Sequence, residues 1–105
     1  MPKVKRSEYI KLSRTVIRKL YDGTCFGKGS LYLETLQHGI PPEYGGKVEI
    51  VLDALVKQRV CGKKKKEHGW KYYLNMERID KIKEILKEKD ERSIIPLLLM
   101  LPNIL

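Results

Sequence analysis

The sequence predicts a mainly α-helical domain carrying one small antiparallel β-hairpin, on three observations. Val48, Val51, Leu52, Leu55 and Val56 recur at the three- and four-residue spacing of one helical face. Trp70, Tyr72 and Leu74 instead alternate with Lys71, Tyr73 and Asn75, the two-residue period of a strand, directly after a turn signal at Glu67-His68-Gly69. Ile79, Ile82, Ile85 and Leu86 then return to helical spacing, with Asn75 placed to cap the helix they define.

Two more helices precede these elements. Ser7 stands where an N-cap would open a first helix, whose apolar stripe is Ile10, Val16, Ile17 and Leu20, widened by Tyr9 and Leu12. Asp22-Gly23 is its expected stop, since glycine can take the left-handed conformation that ends a helix. A glycine-punctuated loop follows to Gly29. Ser30 is then expected to cap a short second helix carrying Leu31, Leu33 and Leu36, terminated by Gly39 and Pro41-Pro42. Val60 and Cys61 lead into Lys63, Lys64, Lys65 and Lys66, which the pattern places toward the tip of the hairpin.

At 105 residues the chain suits one domain, expected over residues 1–92. Residues 93–105 hold nine large aliphatic side chains in thirteen positions and must be covered, because leaving them in water costs about 25 cal/mol per Å2. They either strap the domain's own core or form a homodimer interface through Ile94, Ile95, Leu97, Leu98, Leu99, Met100 and Leu101.

Charge narrows the partners. Lys and Arg number 22 against 13 Asp and Glu, a net charge of +9, and the whole excess falls in residues 1–75. Such a field favours polyanions, because neutralised phosphates release condensed counterions. No stretch reaches the roughly 20 apolar residues of a membrane span, and no apolar export signal opens the chain, so a cytoplasmic protein without a membrane partner is expected.

The stretch VEIVLDALVKQRVCGKKKKEHGWKYYLN, Val48 to Asn75, resembles the recognition helix and wing of winged helix-turn-helix regulators, and the likeness in element order spans Ser7 to Leu86. The resemblance implies a three-helix core, a β wing and an additional C-terminal helix. It also implies a DNA-binding transcriptional regulator acting on double-stranded DNA, with an RNA- or ribosome-associated module and a protein-interaction adaptor as the alternatives. By position, Lys28 and Ser30 would meet phosphate at the second helix's start, and Tyr44 and Lys47 would lie at the start of the third helix. Lys63, Lys64, Lys65, Lys66 and Lys71 would form the wing's phosphate clamp. The third helix's outer face offers Lys47, Glu49, Ile50, Asp53 and Lys57, with none of the Arg, Asn or Gln that read guanine or adenine bidentately. Trp70 and Tyr72 share the apolar face with Leu74 and are expected in the core, leaving Tyr73 exposed.

Other chemistry finds little purchase. In GTCFGKGS, Gly23 to Ser30, three residues separate Gly23 from Gly27, and Gly29 intervenes between Lys28 and Ser30; a phosphate-binding P-loop requires four residues and direct succession. Cys25, His38, Cys61 and His68 lack the close pair spacing of zinc ligands and are expected as buried thiols and helix-end histidines. No Ser, His and acid grouping points to a triad, so neither catalysis nor a cofactor is expected.

Overall fold

A computed structural model of the chain describes residues 4–87. The elements run α1 (Arg6–Asp22), β1 (Leu31–Tyr32), α2 (Leu33–Gln37), α3 (Gly45–Lys57), β2 (Cys61–Lys66), β3 (Gly69–Leu74) and α4 (Ile79–Lys87), with short 3-10 turns at Pro42–Tyr44 and Met76–Arg78. The architecture is mainly helical with one antiparallel sheet, as expected, but the sheet has three strands in the order β1-β3-β2. The expected domain end at residue 92 and the interface residues Ile94, Ile95, Leu97, Leu98, Leu99, Met100 and Leu101 lie outside the described residues.

The core forms where the periodic stripes meet. Val48, Val51, Leu52 and Leu55 of α3 are fully buried, as are Val16, Ile17 and Leu20 of α1 and Ile82 and Ile85 of α4. Tyr72 and Leu74 complete the cluster from β3, so the sheet's inner face is roofed by helices at its root. Arg18 Nη2 donates to the Leu86 carbonyl at 3.2 Å, holding α4 against α1.

The second helix departs from expectation. Leu31 pairs with Tyr72 and Tyr32 with Lys71, so these residues are strand, and α2 begins only at Leu33 with Tyr32 as its N-cap. Ser30 therefore precedes a strand and caps no helix. Leu33 and Leu36 keep a helical spacing, but Leu31 and Tyr32 find partners for their backbone groups on β3, and ladder pairing takes them out of the helix. The C-terminal carbonyls of the five-residue α2 are satisfied from elsewhere: Lys19 Nζ donates to Leu36 at 3.0 Å and also to His38.

Helix ends also differ in detail. α1 opens one residue before Ser7, with Lys5 as N-cap, and the Lys5 backbone N–H donates to Glu8 Oε1 at 3.0 Å. It ends at Asp22 as expected, yet Gly23 keeps φ −85°, and Thr24 takes the left-handed conformation at φ +51°. The Thr24 N–H donates to the Tyr21 carbonyl at 3.0 Å and the Cys25 N–H to the Leu20 carbonyl at 2.9 Å, the paired bonds of a Schellman cap. α3 ends the same way. Arg59 sits at φ +63°, with Arg59 N–H to the Val56 carbonyl and Val60 N–H to the Leu55 carbonyl, both at 3.0 Å.

A left-handed conformation costs an L-residue with a Cβ about 1–2 kcal/mol and glycine almost nothing. Because glycine also loses more entropy on folding, Arg59→Gly is expected to stabilise the domain by about 0.5–1 kcal/mol net. Urea unfolding of the two proteins measures it as a higher midpoint at unchanged m-value.

Candidate nucleic-acid interface

β2 and β3 form a ribbon rooted in the core and bare at its tip. Cys61 lies opposite Leu74 and Lys63 opposite Tyr72; Lys64 pairs with Lys71, Lys65 with Trp70 and Lys66 with Gly69. Glu67 and His68 make the turn, and Gly69 closes it at φ +122°, where a Cβ would be strained. Burial falls along β2 from the enclosed Cys61 to the exposed Lys65 and Lys66.

Strand geometry divides the lysine run between two faces. Lys63 and Lys65 lie on the inner face, their ammonium groups 4.7 and 5.4 Å from the centroid of the Trp70 ring. Lys63 Nζ also pairs with Asp53 Oδ1 of α3 at 3.2 Å, which partly neutralises it. On the outer face, Lys64 donates to the Gly27 carbonyl at 2.8 Å and lies 5.8 Å from the Tyr73 ring, while Lys71 lies 4.8 Å from the Tyr32 ring. Gly62 makes room for that arrangement, since a Cβ there would meet the Tyr73 ring at 2.5 Å.

Two like charges directly opposite each other on a sheet are destabilising, so the Lys64–Lys71 pair is a local cost retained in the fold. The described residues place no carboxylate within 4.0 Å of Lys64, Lys65, Lys66 or Lys71. Among the described residues the ribbon therefore carries a concentrated positive potential, partly offset by Asp53 at Lys63 and by Glu67 in the turn.

Among the other expected contact residues, Lys28 is exposed, one position after Gly27, whose carbonyl Lys64 ties to the ribbon. Ser30 is half-buried ahead of β1, away from any helix start. Tyr44 and Lys47 point their interactions toward α1. Lys47 Nζ lies 2.6 Å from Glu8 Oε2 and 5.5 Å from the Tyr44 ring, which occupies it in a contact inside the domain. That ammonium hydrogen bond, and then the Lys5 backbone N–H, hold the Glu8 carboxyl below its ordinary value of 4.5.

Two features escaped sequence reasoning. Trp70 shares the apolar face of β3 but is 40% exposed, because the ribbon carries it past the end of α3's cover, whereas Tyr72 is 1% exposed as expected. Its place next to the turn was the available signal. Beside it lies a cleft of about 590 Å3 whose walls include Tyr32, Glu34, Glu49, His68, Trp70 and Tyr72. At its floor, burial first and then the carboxylates of Asp53 and Glu49 push the Tyr72 hydroxyl up to about 12. Cys25 and Cys61 are buried free thiols, and burial raises Cys61 to about 12. Among the described residues no three His, Cys, Asp or Glu side chains gather to hold a metal ion.

Compared with known proteins, the chain matches no family model, no curated protein and no solved structure.

Because its folded pKa is depressed, Glu8 contributes stability that is present above about pH 4.5 and lost as pH falls through the lower folded value. Lys47→Ala is expected to be less stable than the parent near neutrality, with the gap closing in acid. Unfolding midpoints measured between neutral pH and strongly acidic pH test this, and a gap independent of pH would count against the pair.

Proposed function

We propose that the chain is a nucleic-acid-binding domain of winged helix-turn-helix form, with the β2–β3 ribbon as its wing, and that it acts on double-stranded DNA as a transcriptional regulator. The element order α1-β1-α2-α3-β2-β3-α4 and the strand order β1-β3-β2 support the winged-helix reading. The carrying observation for nucleic acid is the ribbon itself, where Lys64, Lys65, Lys66 and Lys71 have no carboxylate partner among the described residues. Lysines on both faces of a narrow ribbon suit a groove, whose two phosphate walls then each meet cations.

The helix that would enter the major groove is a poor reader of sequence. Its solvent side carries Glu49 and Asp53, Lys47 is engaged by Glu8, and Gly45 and Gly46 supply no side chain to its first turn. Affinity then comes mainly from the phosphate backbone, and sequence preference is modest. The acidic positions on α3 also favour a second reading, in which the ribbon contacts structured RNA by shape and the helix stays out of the groove.

Replacing Lys64, Lys65, Lys66 and Lys71 by Ala is expected to weaken binding and flatten its salt dependence by roughly 0.9 in log–log slope for each lost phosphate contact. Lys47→Ala is expected to leave both unchanged, because that ammonium is committed to Glu8. Salt-titrated fluorescence polarisation with duplex DNA and duplex RNA measures them. Retention of full affinity by the ribbon variant would remove the wing from the mechanism, and preference for RNA would replace the DNA reading with the second one.

A further inference from the structure

The cleft beside Trp70 has a composition at odds with its surroundings. Tyr32, His68, Trp70 and Tyr72, together with the acidic residues Glu34 and Glu49, line a space of about 590 Å3, within the range of about 300–1,000 Å3 typical of small-molecule sites. Lys63 and Lys65 reach Trp70 from β2, whereas Tyr32 and Glu34 belong to β1 and α2 on the other side of the central strand. The indole thus stands between the lysines of β2 and a hollow lined by Glu34 and Glu49, with His68 and the Lys71-contacted Tyr32 at its border.

Charge decides what enters. A phosphate would meet Glu34 and Glu49 inside the hollow but lysines on the ribbon outside it. A free organic cation would suit the hollow, yet must approach through the field of the same lysines. A nucleotide meets both halves: its flat base stacks on the indole while its phosphates stay with the ammonium groups. Carboxylates accept hydrogen bonds from the exocyclic amines of cytosine, adenine and guanine, a group that thymine and uracil lack.

We infer that the cleft between Trp70, Glu34 and Glu49 receives one unpaired nucleobase bearing an exocyclic amine, with the adjoining phosphates held by the ribbon lysines. The inference rests on the nucleic-acid reading above and deepens it, because it names an extruded or single-stranded base as the element recognised beside the phosphate backbone.

Trp70 is the chain's single tryptophan, so its emission reports on the ring that borders the cleft, and the strand-dependent affinity ratio separates base entry from phosphate contact at Lys63 and Lys65. The test titrates the full chain with short cytosine, adenine and thymine homopolymers and with a blunt duplex, following indole emission and, separately, polarisation of a labelled strand. RNA strands of the same sequences form a parallel arm. Cytosine and adenine strands are expected to quench Trp70 and to bind about tenfold tighter than thymine strands, the scale of one good base-edge contact. Quenching confined to the DNA or to the RNA arm supports the inference and identifies the source of the base. Glu34→Ala with Glu49→Ala, both on exposed helix positions, is expected to bring that ratio near one while quenching persists.

Salt-sensitive binding with unchanged Trp70 emission, or equal affinity for thymine strands, would overturn the cleft inference and leave the ribbon reading standing. An unchanged ratio in the double variant would overturn the role given to the carboxylates. Quenching by arginine amide with no response to any strand would assign the hollow to a cation and overturn the inference. Absence of binding to every DNA and RNA in polarisation would overturn the nucleic-acid reading beneath it.

Discussion

Burial of Tyr72 and Leu74 under the helices fixes where the ribbon leaves the domain, and the remaining features of the surface depend on that anchor. The helices cover β3 only at its C-terminal end, so the same alternating face that supplies core at Leu74 and Tyr72 supplies surface at Trp70. A strand cannot rotate one residue independently of its neighbours. Rooting two aromatic and aliphatic side chains therefore dictates which lysines of β2 look toward α3 and which look away.

Among the described residues, the cations of α3 and the ribbon divide into those engaged by acids and those without an acid partner. Lys47 on Glu8 and Lys63 on Asp53 link α3 to α1 and to the sheet, contacts that help set the angle of α3. Ion pairs that retain solvent contact contribute little to stability, about 0–1 kcal/mol each, so their significance lies in subtracting charge from the helix. Of the remaining ribbon lysines, Lys64, Lys65 and Lys71 make contacts with rings or a carbonyl, which orient them without neutralising them.

Much of this was legible in the sequence where a period ran long enough to be counted. The α3 stripe and the alternation from Trp70 to Leu74 follow from local pattern, as does Asn75 as a cap, although its Oδ1 accepts from the Glu77 N–H at 3.1 Å in the 3-10 turn Met76–Arg78 that precedes α4 and not in α4 itself. β1 did not, because its two residues are too few to show a period and its partner strand lies about forty positions away. The left-handed residues fell on Thr24 and Arg59, where the cap geometry required them, although Gly23 stood one position earlier. The basic cluster was readable as a run of letters. The engagement of Lys47 by Glu8 and the exposure of Trp70 arise only once distant elements are packed together.

Among the described residues the strand order places β2 at one border of the sheet, with no further strand beside it. An open border of this kind is a template on which identical molecules can add strand to strand and precipitate. Side chains at Lys63, Lys64, Lys65 and Lys66 set cations along that border, so a second copy approaching in parallel or antiparallel alignment meets mutual repulsion before any ladder can form. The residues proposed to meet a polyanion are in this way also the ones that disfavour strand addition at this border, and a polyanion bound there would lift that protection by cancelling the charge.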